Sequence, residues 1–439
     1  MQRREFAKSV LAGSAVIAMP DIVRANVLGT AAPLRVNGDR LNAHLTALSE
    51  FGKNPQGGVS RVAYSEADKA SRPYLMKLMA DAKLEVSVDA AGNIFGKRAG
   101  TDASLKPILF GSHTDSVPEG GNFDGDVGSL GAIEVAQCLS EQKVTTRHPL
   151  EVVIWQNEEG GLWGSHLASA VPTAAELAVT NSSGKTVREG VAFLGGDPDH
   201  LERTRRAKGS IAAYLELHIE QGGVLEKEKL DIGVVEGIVG IHRWEVIIEG
   251  FQNHAGTTAM PDRRDALLAA ARFIESVNRL ITSEPGRQVG TVGKLQVFPN
   301  TPNVVPGKVV CTLEIRDLDA KKIDHFFALI EAESKKIGAL NHTSFAFTQV
   351  LDNVPAPTAP AIRALIAAAA TDLGLSHKTM PSGAGHDAQD VAQLCPVGMI
   401  FIPSKGGISH APSEYSKPQD ITNGANVLMN ALIKLDATV

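Results

Sequence analysis

The chain has 439 residues, more than a single hydrophobic core usually serves, so two domains are expected. Its 43% apolar, 21% charged and 5% aromatic residues are those of an ordinary globular protein, neither disordered nor fibrous. A net charge of -6 without basic blocks argues against a nucleic-acid partner, and no apolar run reaches membrane-spanning length.

Residues 1–25 read MQRREFAKS, VLAGSAVIAMP and DIVRA, a charged head, a short apolar middle and a small-residue end. This pattern reads as an export signal, and Arg3 and Arg4 followed by Phe6 and Lys8 resemble the twin-arginine type, which predicts a periplasmic location. From about residue 106, apolar runs alternate with helix-like segments: KPILFGSH, SLGAIEVAQCLSEQ, LEVVIWQNEE, AAYLELHIEQ and, near the end, PVGMIFIPSKGGISH. Such alternation predicts an α/β fold, a mostly parallel sheet with helices on both faces. Residues 180–208, rich in Gly, Asp and Arg, read as a long surface connection. Residues 240–352 follow a different rhythm, β-α-β-β-α-β, the split pattern of a ferredoxin-like α+β domain. The larger domain is therefore expected to be discontinuous, 33–239 and 353–439, with 240–352 inserted in it. Cys138, Cys311 and Cys395 lie far apart in apolar surroundings and read as buried free thiols.

Four apolar runs end in a residue able to bind metal: ILFGSH in His113, VVIWQNEE in Glu159, YLELH in His218 and, a few residues past its strand, MIFIPSKGGISH in His410. Ligands of open α/β sheets gather at the carboxyl ends of strands, so one rim can hold all four. Asp124, in the Gly-rich turn GGNFDGDVG before a helix, is a fifth candidate. A strand-end histidine is more often a satisfied half-buried side chain, and paired glutamates before a helix are usually favourable charges at its positive end. The joint pattern changes the balance. Three imidazoles and two carboxylates suit borderline divalent ions such as zinc, manganese, cobalt or nickel, and suffice for two ions sharing one carboxylate. Two ions lower the pKa of a shared water, and a base must still take its proton. The adjacency of Glu158 and Glu159 then has a use: Glu159 binds metal while Glu158 stays free as general base. Asp115, two residues after His113, is placed to orient that imidazole.

The motifs GSHTDSV, NFDG, NEEG, ELHIEQG, NHAGTTAMPDRRDA, PNVVPG with EIRD, SGAGHDA and ISHAPSE, in order from about residue 36 to 435, resemble the M20 metallopeptidase clan, specifically its hydantoinase/carbamoylase branch. The resemblance implies two metals, with Asp124 bridging, His113 and His218 completing one site, and Glu159 and His410 the other. It implies that the inserted domain dimerises and moves as a lid. His254 of NHAGTT then matches the histidine that the lid supplies, often across the homodimer, to stabilise the oxyanion. Gln221, Asn303 and Arg316 match positions that hold the carboxylate of the substrate's amino-acid part, a task suited to a guanidinium fork and neutral amides. Arg263 matches an arginine whose role is as much structural as substrate-facing. Gly161, Leu162 and Trp163 depart from the Ser-Arg-Phe common after the glutamates, and Ala259 stands where proline is usual.

The expected activity is a dimetal amidohydrolase that cleaves the linear C–N bond of an N-carbamoyl (ureido) or related N-acyl amino acid. An acylase or dipeptidase on the same scaffold is the alternative. A serine hydrolase using Ser112 or Ser382 lacks the G-x-S-x-G elbow. A binding protein derived from a hydrolase would be expected to have lost part of the ligand set, which is complete.

Overall fold

Four wholly buried strands stand at the centre of the structure, which a computed structural model describes for residues 32–439. The segment read as an export signal lies outside the described residues. In chain order the larger sheet begins with β1 (Glu85–Val88), β2 (Ile94–Arg98), β3 (Ile108–His113), β4 (Leu150–Trp155), β5 (Ala213–Ile219) and β6 (Ile232–Ile238). The chain then builds β7 (Gly240–Glu249), β8 (Asn253–His254), β9 (Val289–Thr291), β10 (Leu295–Phe298), β11 (Val304–Val305), β12 (Lys308–Asp317) and β13 (Ser344–Asn353). It returns to the larger sheet with β14 (Ala356–Pro357), β15 (His377–Ser382) and β16 (Val397–Ile402).

The larger sheet runs β1-β2-β4-β3-β5-β16-β6-β14, with β15 also paired to β6. Its centre, β4-β3-β5-β16, is parallel, as the alternating pattern predicts. Its flanks are antiparallel, at β1-β2, β2-β4, β16-β6 and β14-β6, so the sheet is mixed. Parallel strands are covered on both faces and read as continuous apolar runs, and the two faces here carry separate cores. On one face the helices Gly38–Leu48, Glu66–Asp81, Asp126–Glu141, Pro360–Asp372 and Pro418–Asp436 contribute Leu41, Leu75, Leu130, Ile366 and Leu428. On the other, Trp155, Tyr214 and Phe401 pack with Ala168, Ala388 and Val391 of two short helices.

The second sheet, β10-β12-β7-β13 with β9 beside β12, is antiparallel throughout. β12 alternates buried and half-buried residues, the mark of a sheet covered on one face only. Helices Ala266–Ile281 and Ala320–Asn341 supply that cover, packing Phe273 and Phe326 on Trp244, Val246, Cys311 and Leu313. β8 and β11 form a separate two-stranded ladder.

Residues 180–208, read as a long surface connection, contain regular structure. They fold into the helix Val187–Phe193 and a 3-10 turn at Leu201–Thr204, which close a small core with Tyr64, Trp163 and Leu167. A capping box explains the helix: Thr186 accepts from the Glu189 amide while Glu189 accepts from the Thr186 amide. Among the described residues no helix is long and apolar enough to cross a membrane.

The helix Asp126–Glu141 is pressed onto β5 at Gly128, where a Cβ would stand 2.1 Å from the Leu217 carbonyl oxygen. Replacing Gly128 by valine is expected to lower stability by about 1–3 kcal/mol in denaturant titrations through overpacking. Gly131→Ala, whose nearest obstacle is the flexible Leu217 Cδ2 at 3.1 Å, is expected to cost much less.

Candidate metal centre

Because β3, β4 and β5 are parallel, their C-terminal ends open on one rim. His113 is the last residue of β3 and His218 the last but one of β5. After β4 the chain turns through Asn157 at φ 56 and delivers Glu158 and Glu159 to the same rim. Asp124 arrives from the turn before the helix Asp126–Glu141, and Gly125, at φ 66, shapes that turn. A Cβ on Gly125 would lie 2.5 Å from the His113 ring. His410, at φ 54, follows β16 after a loop.

Asp124 is the hub. Its Oδ1 lies 3.1 Å from His218 Nε2 and 3.7 Å from His113 Nε2, and its Oδ2 lies 3.2 Å from His410 Nε2. His410 Nε2 is also 3.5 Å from Glu159 Oε1, and His113 Nε2 is 3.8 Å from Glu158 Oε2. His113 Nδ1 donates to the Asp115 carbonyl at 3.0 Å and His218 Nδ1 to the Ile219 carbonyl at 2.9 Å, which turns both Nε2 lone pairs toward Asp124. Two triads result, His113–Asp124–His218 and Asp124–Glu159–His410, each with ligand atoms within 4.8 Å of one another.

A divalent cation fits this donor set. His218 Nε2, although close to Asp124, has no directed hydrogen-bond partner, and Glu159 Oε1 has none either, yet both atoms are buried. Buried polar atoms are rarely left so. The charges tell the same story. Burial pushes the Glu159 carboxyl up to about 8, with Asp124 adding to the push, and burial followed by repulsion from Glu159 and Asp387 raises Glu158 well above the carboxylate range. Burial lowers His113 to about 4. For Asp124 burial works against the charge, but the neighbouring imidazoles of His218 and His410 hold its carboxyl below the usual range. A third grouping, Glu216–His218–His386, is a weaker holder, because Glu216 already accepts from Ser112 Oγ at 2.8 Å and from the Ala388 amide at 3.0 Å.

Asp115 acts differently from the sequence reading. Its main-chain carbonyl, not its carboxylate, holds the His113 ring; the carboxylate instead accepts from the amides of Glu158 at 3.2 Å and Glu159 at 3.1 Å. One buried acid thus fixes the backbone of the glutamate pair. Gln221 Nε2 donates to Asp124 Oδ2 at 2.7 Å. Arg316 reaches from β12 to the Gly383 carbonyl at 2.7 Å and to Glu314 at 2.7 Å. His254 and Asn303 lie together, exposed, beside the second sheet, joined by the Ala255 amide to the Asn303 carbonyl at 3.0 Å. Arg263 braces that turn through the carbonyls of Ala255 and Thr258.

Sequence reasoning passed over Glu414 and Ser409. Glu414 accepts from the amides of Phe123 and Asp124 at 3.0 and 3.1 Å and from Ser409 Oγ at 2.7 Å, joining the Asp124 turn to the loop of His410. Both flank His410 in ISHAPSE, the motif read only for its histidine. Ser382 does stand 2.8 Å from His386, but both side chains are 1% exposed, and Ser112 donates to Glu216, so neither serine faces a substrate.

Comparison with known proteins agrees with this geometry. Residues 109–434 match the peptidase family M20/M25/M40. The chain is 37% identical over 406 residues to the N-carbamoyl-L-amino acid amidohydrolase of Geobacillus stearothermophilus, covering 91% of this chain and 99% of that one. It is 38% identical over 421 residues to the ureidoglycolate hydrolase of Arabidopsis thaliana, covering 93% and 88%. The crystal structure of a hydantoinase/carbamoylase family amidase from Burkholderia multivorans superposes with a TM-score of 0.84 at 38% identity, covering 91% of this chain and 98% of that one. The chain belongs to the M20 family. Within it, the chain is an enzyme of the amidohydrolase type, acting on C–N bonds other than peptide bonds.

The periplasmic location is corrected. The M20 amidohydrolases that match along nearly their whole length, 99% for the Geobacillus enzyme, give it no support, and the residues on which it rested lie outside the described structure. A short apolar run behind a charged head is a pattern that does not by itself specify an address.

Glu414→Ala frees two amides and a hydroxyl around Asp124. The folded variant, checked by circular dichroism, is expected to bind fewer metal ions per chain by elemental analysis than the parent.

Proposed function

We propose that the chain hydrolyses the C–N bond of N-carbamoyl (ureido) or related N-acyl amino acids at a two-metal centre built on Asp124. The observation that carries this reading is the sharing of Asp124 by two triads that contain buried donor atoms without partners. His113 and His218 complete one metal position, Glu159 and His410 the other. Two divalent ions of the zinc, manganese, cobalt or nickel kind supply, when bound, Lewis-acid polarisation of the scissile carbonyl and of water.

Glu158 is the general base. It takes the proton of the attacking water and passes it to the leaving nitrogen, and Asp115 supports this by fixing the amides of both glutamates. Gln221, Asn303 and Arg316 hold the substrate's carboxylate, and residues 240–352 serve as the lid that carries two of them. His254 is the oxyanion donor. Its Nδ1 accepts from the amides of Gly256 at 3.0 Å and Thr257 at 3.1 Å, which leaves the proton on Nε2, where a donor is needed. A homodimer through the lid domain would let His254 serve the partner subunit's site. The exposed Leu295 and Phe298 on edge strand β10 support such an interface.

Purified protein reloaded with metal is expected to release ammonia from N-carbamoyl amino acids and to lose that activity to a chelator. Release of a free organic acid from N-acyl amino acids alone would favour the acylase instead. Glu158→Gln is expected to lower kcat by about 10²–10⁴-fold with metal content retained, and unchanged turnover would remove the proposed base. His254→Ala is expected to lower kcat by about 10²-fold, again with both metals bound.

A further inference from the structure

Gln221 has two surroundings. Its amide donates to Asp124, and the residue also lines a cavity of about 640 Å³. Gly383, whose carbonyl accepts from Arg316, borders the same cavity. A substrate with its scissile bond at Asp124 and its carboxylate between Gln221 and Arg316 therefore has this cavity beside its side chain. We propose, on the reading of the site given above, that the cavity receives the substrate's side chain and that Arg287 and Lys378 select one ending in a carboxylate, so that the favoured substrates are ureido derivatives of dicarboxylic amino acids.

The lining carries the chemistry for this. Val224 and Met380 offer apolar wall to methylene groups. Arg287, in the loop after the helix Ala266–Ile281, and Lys378, on β15, bring two cations to one cavity. The acid in the lining, Glu220, is already engaged, accepting from the amides of Val224 at 2.7 Å and Leu225 at 2.8 Å. Arg287 pairs with Glu236, and Lys378 with Glu228 through two contacts of 2.7 Å. Neither of those carboxylates is part of the lining, so they brace the cations from outside. Arg287 uses one of its five N–H groups on Glu236 and Lys378 two of its three on Glu228, which leaves donors for an incoming carboxylate. The outer pairing also moderates the expected selectivity, since a second carboxylate meets cations that are partly compensated.

N-carbamoyl-L-glutamate and N-carbamoyl-L-glutamine are near-isosteres that differ in this charge, so their ratio of kcat/KM isolates it. The ratio is expected to favour the acid by about tenfold at low salt and to shrink as ionic strength rises. In R287Q/K378Q it is expected to fall to about one. Parity in the parent enzyme, a salt-independent preference, or a preference that survives in the double variant would overturn the proposal. The salt series needs no variant, so it decides even where the double variant does not fold. Absence of ammonia from both substrates and from neutral ureido acids would instead overturn the ureido-substrate reading on which the proposal rests, whereas turnover without preference would overturn the proposal alone.

Discussion

The constraint behind this structure is the concentration of carboxyl groups at one buried rim. Asp115, Asp124, Glu158, Glu159 and Glu414 meet there, and burial alone opposes the charge of each. An isolated buried carboxylate costs several kcal/mol unless it is paired or hydrogen-bonded. The protein resolves this unevenly. Asp115 and Glu414 are satisfied by main-chain amides and a hydroxyl, and in return they hold the two turns that carry the other acids. Asp124 accepts from Gln221 and Ser409 and stands among imidazoles. Glu158 and Glu159 lack comparable donors, so burial leaves both carboxyls raised, and theirs is the charge that a bound cation would stabilise most.

The parallel strands make such a rim possible. They bury apolar side chains along their length and release polar ones at a common end, so the desolvated acids stand over a core that was apolar in any case. Gly125 and Gly128 bring the helix Asp126–Glu141 into contact with His113 and β5, and larger residues at either would push Asp124 away from its imidazoles. Packing density and ligand geometry are therefore coupled through one helix.

Much of this was legible because period and punctuation coincide. Continuous apolar runs ending in His113, Glu159 and His218 specify both a covered parallel strand and the residue delivered at its end. The β-α-β-β-α-β order of residues 240–352 is visible for the same reason, and the structure gives that region its own sheet and core. What was not legible depends on closure in three dimensions. Asp115 was expected to orient the ring of His113 and holds it through its main-chain carbonyl, while its carboxylate, 3.8 Å from that ring, accepts from amides 43 and 44 residues away. Glu414 lies about 290 positions from the amides it holds. No local pattern encodes either pairing. The helices within 180–208 were a different kind of miss, since T-x-x-E in TVRE is a capping signal that composition alone obscured.

Arg316, the arginine proposed to hold the substrate's carboxylate, also spans the two sheets. Its Nε is held by Glu314, itself paired to Arg243, and its Nη1 donates to the Gly383 carbonyl across from the second sheet to the larger one. A guanidinium binds a carboxylate best through two parallel N–H groups, and here part of that fork is already engaged. For Arg316 to grip a substrate, the bond to Gly383 must be shared or exchanged. The substrate would then take over a contact that links the two sheets. In that arrangement the affinity for substrate and the position of residues 240–352 are one equilibrium, because the same N–H group cannot fully satisfy both acceptors.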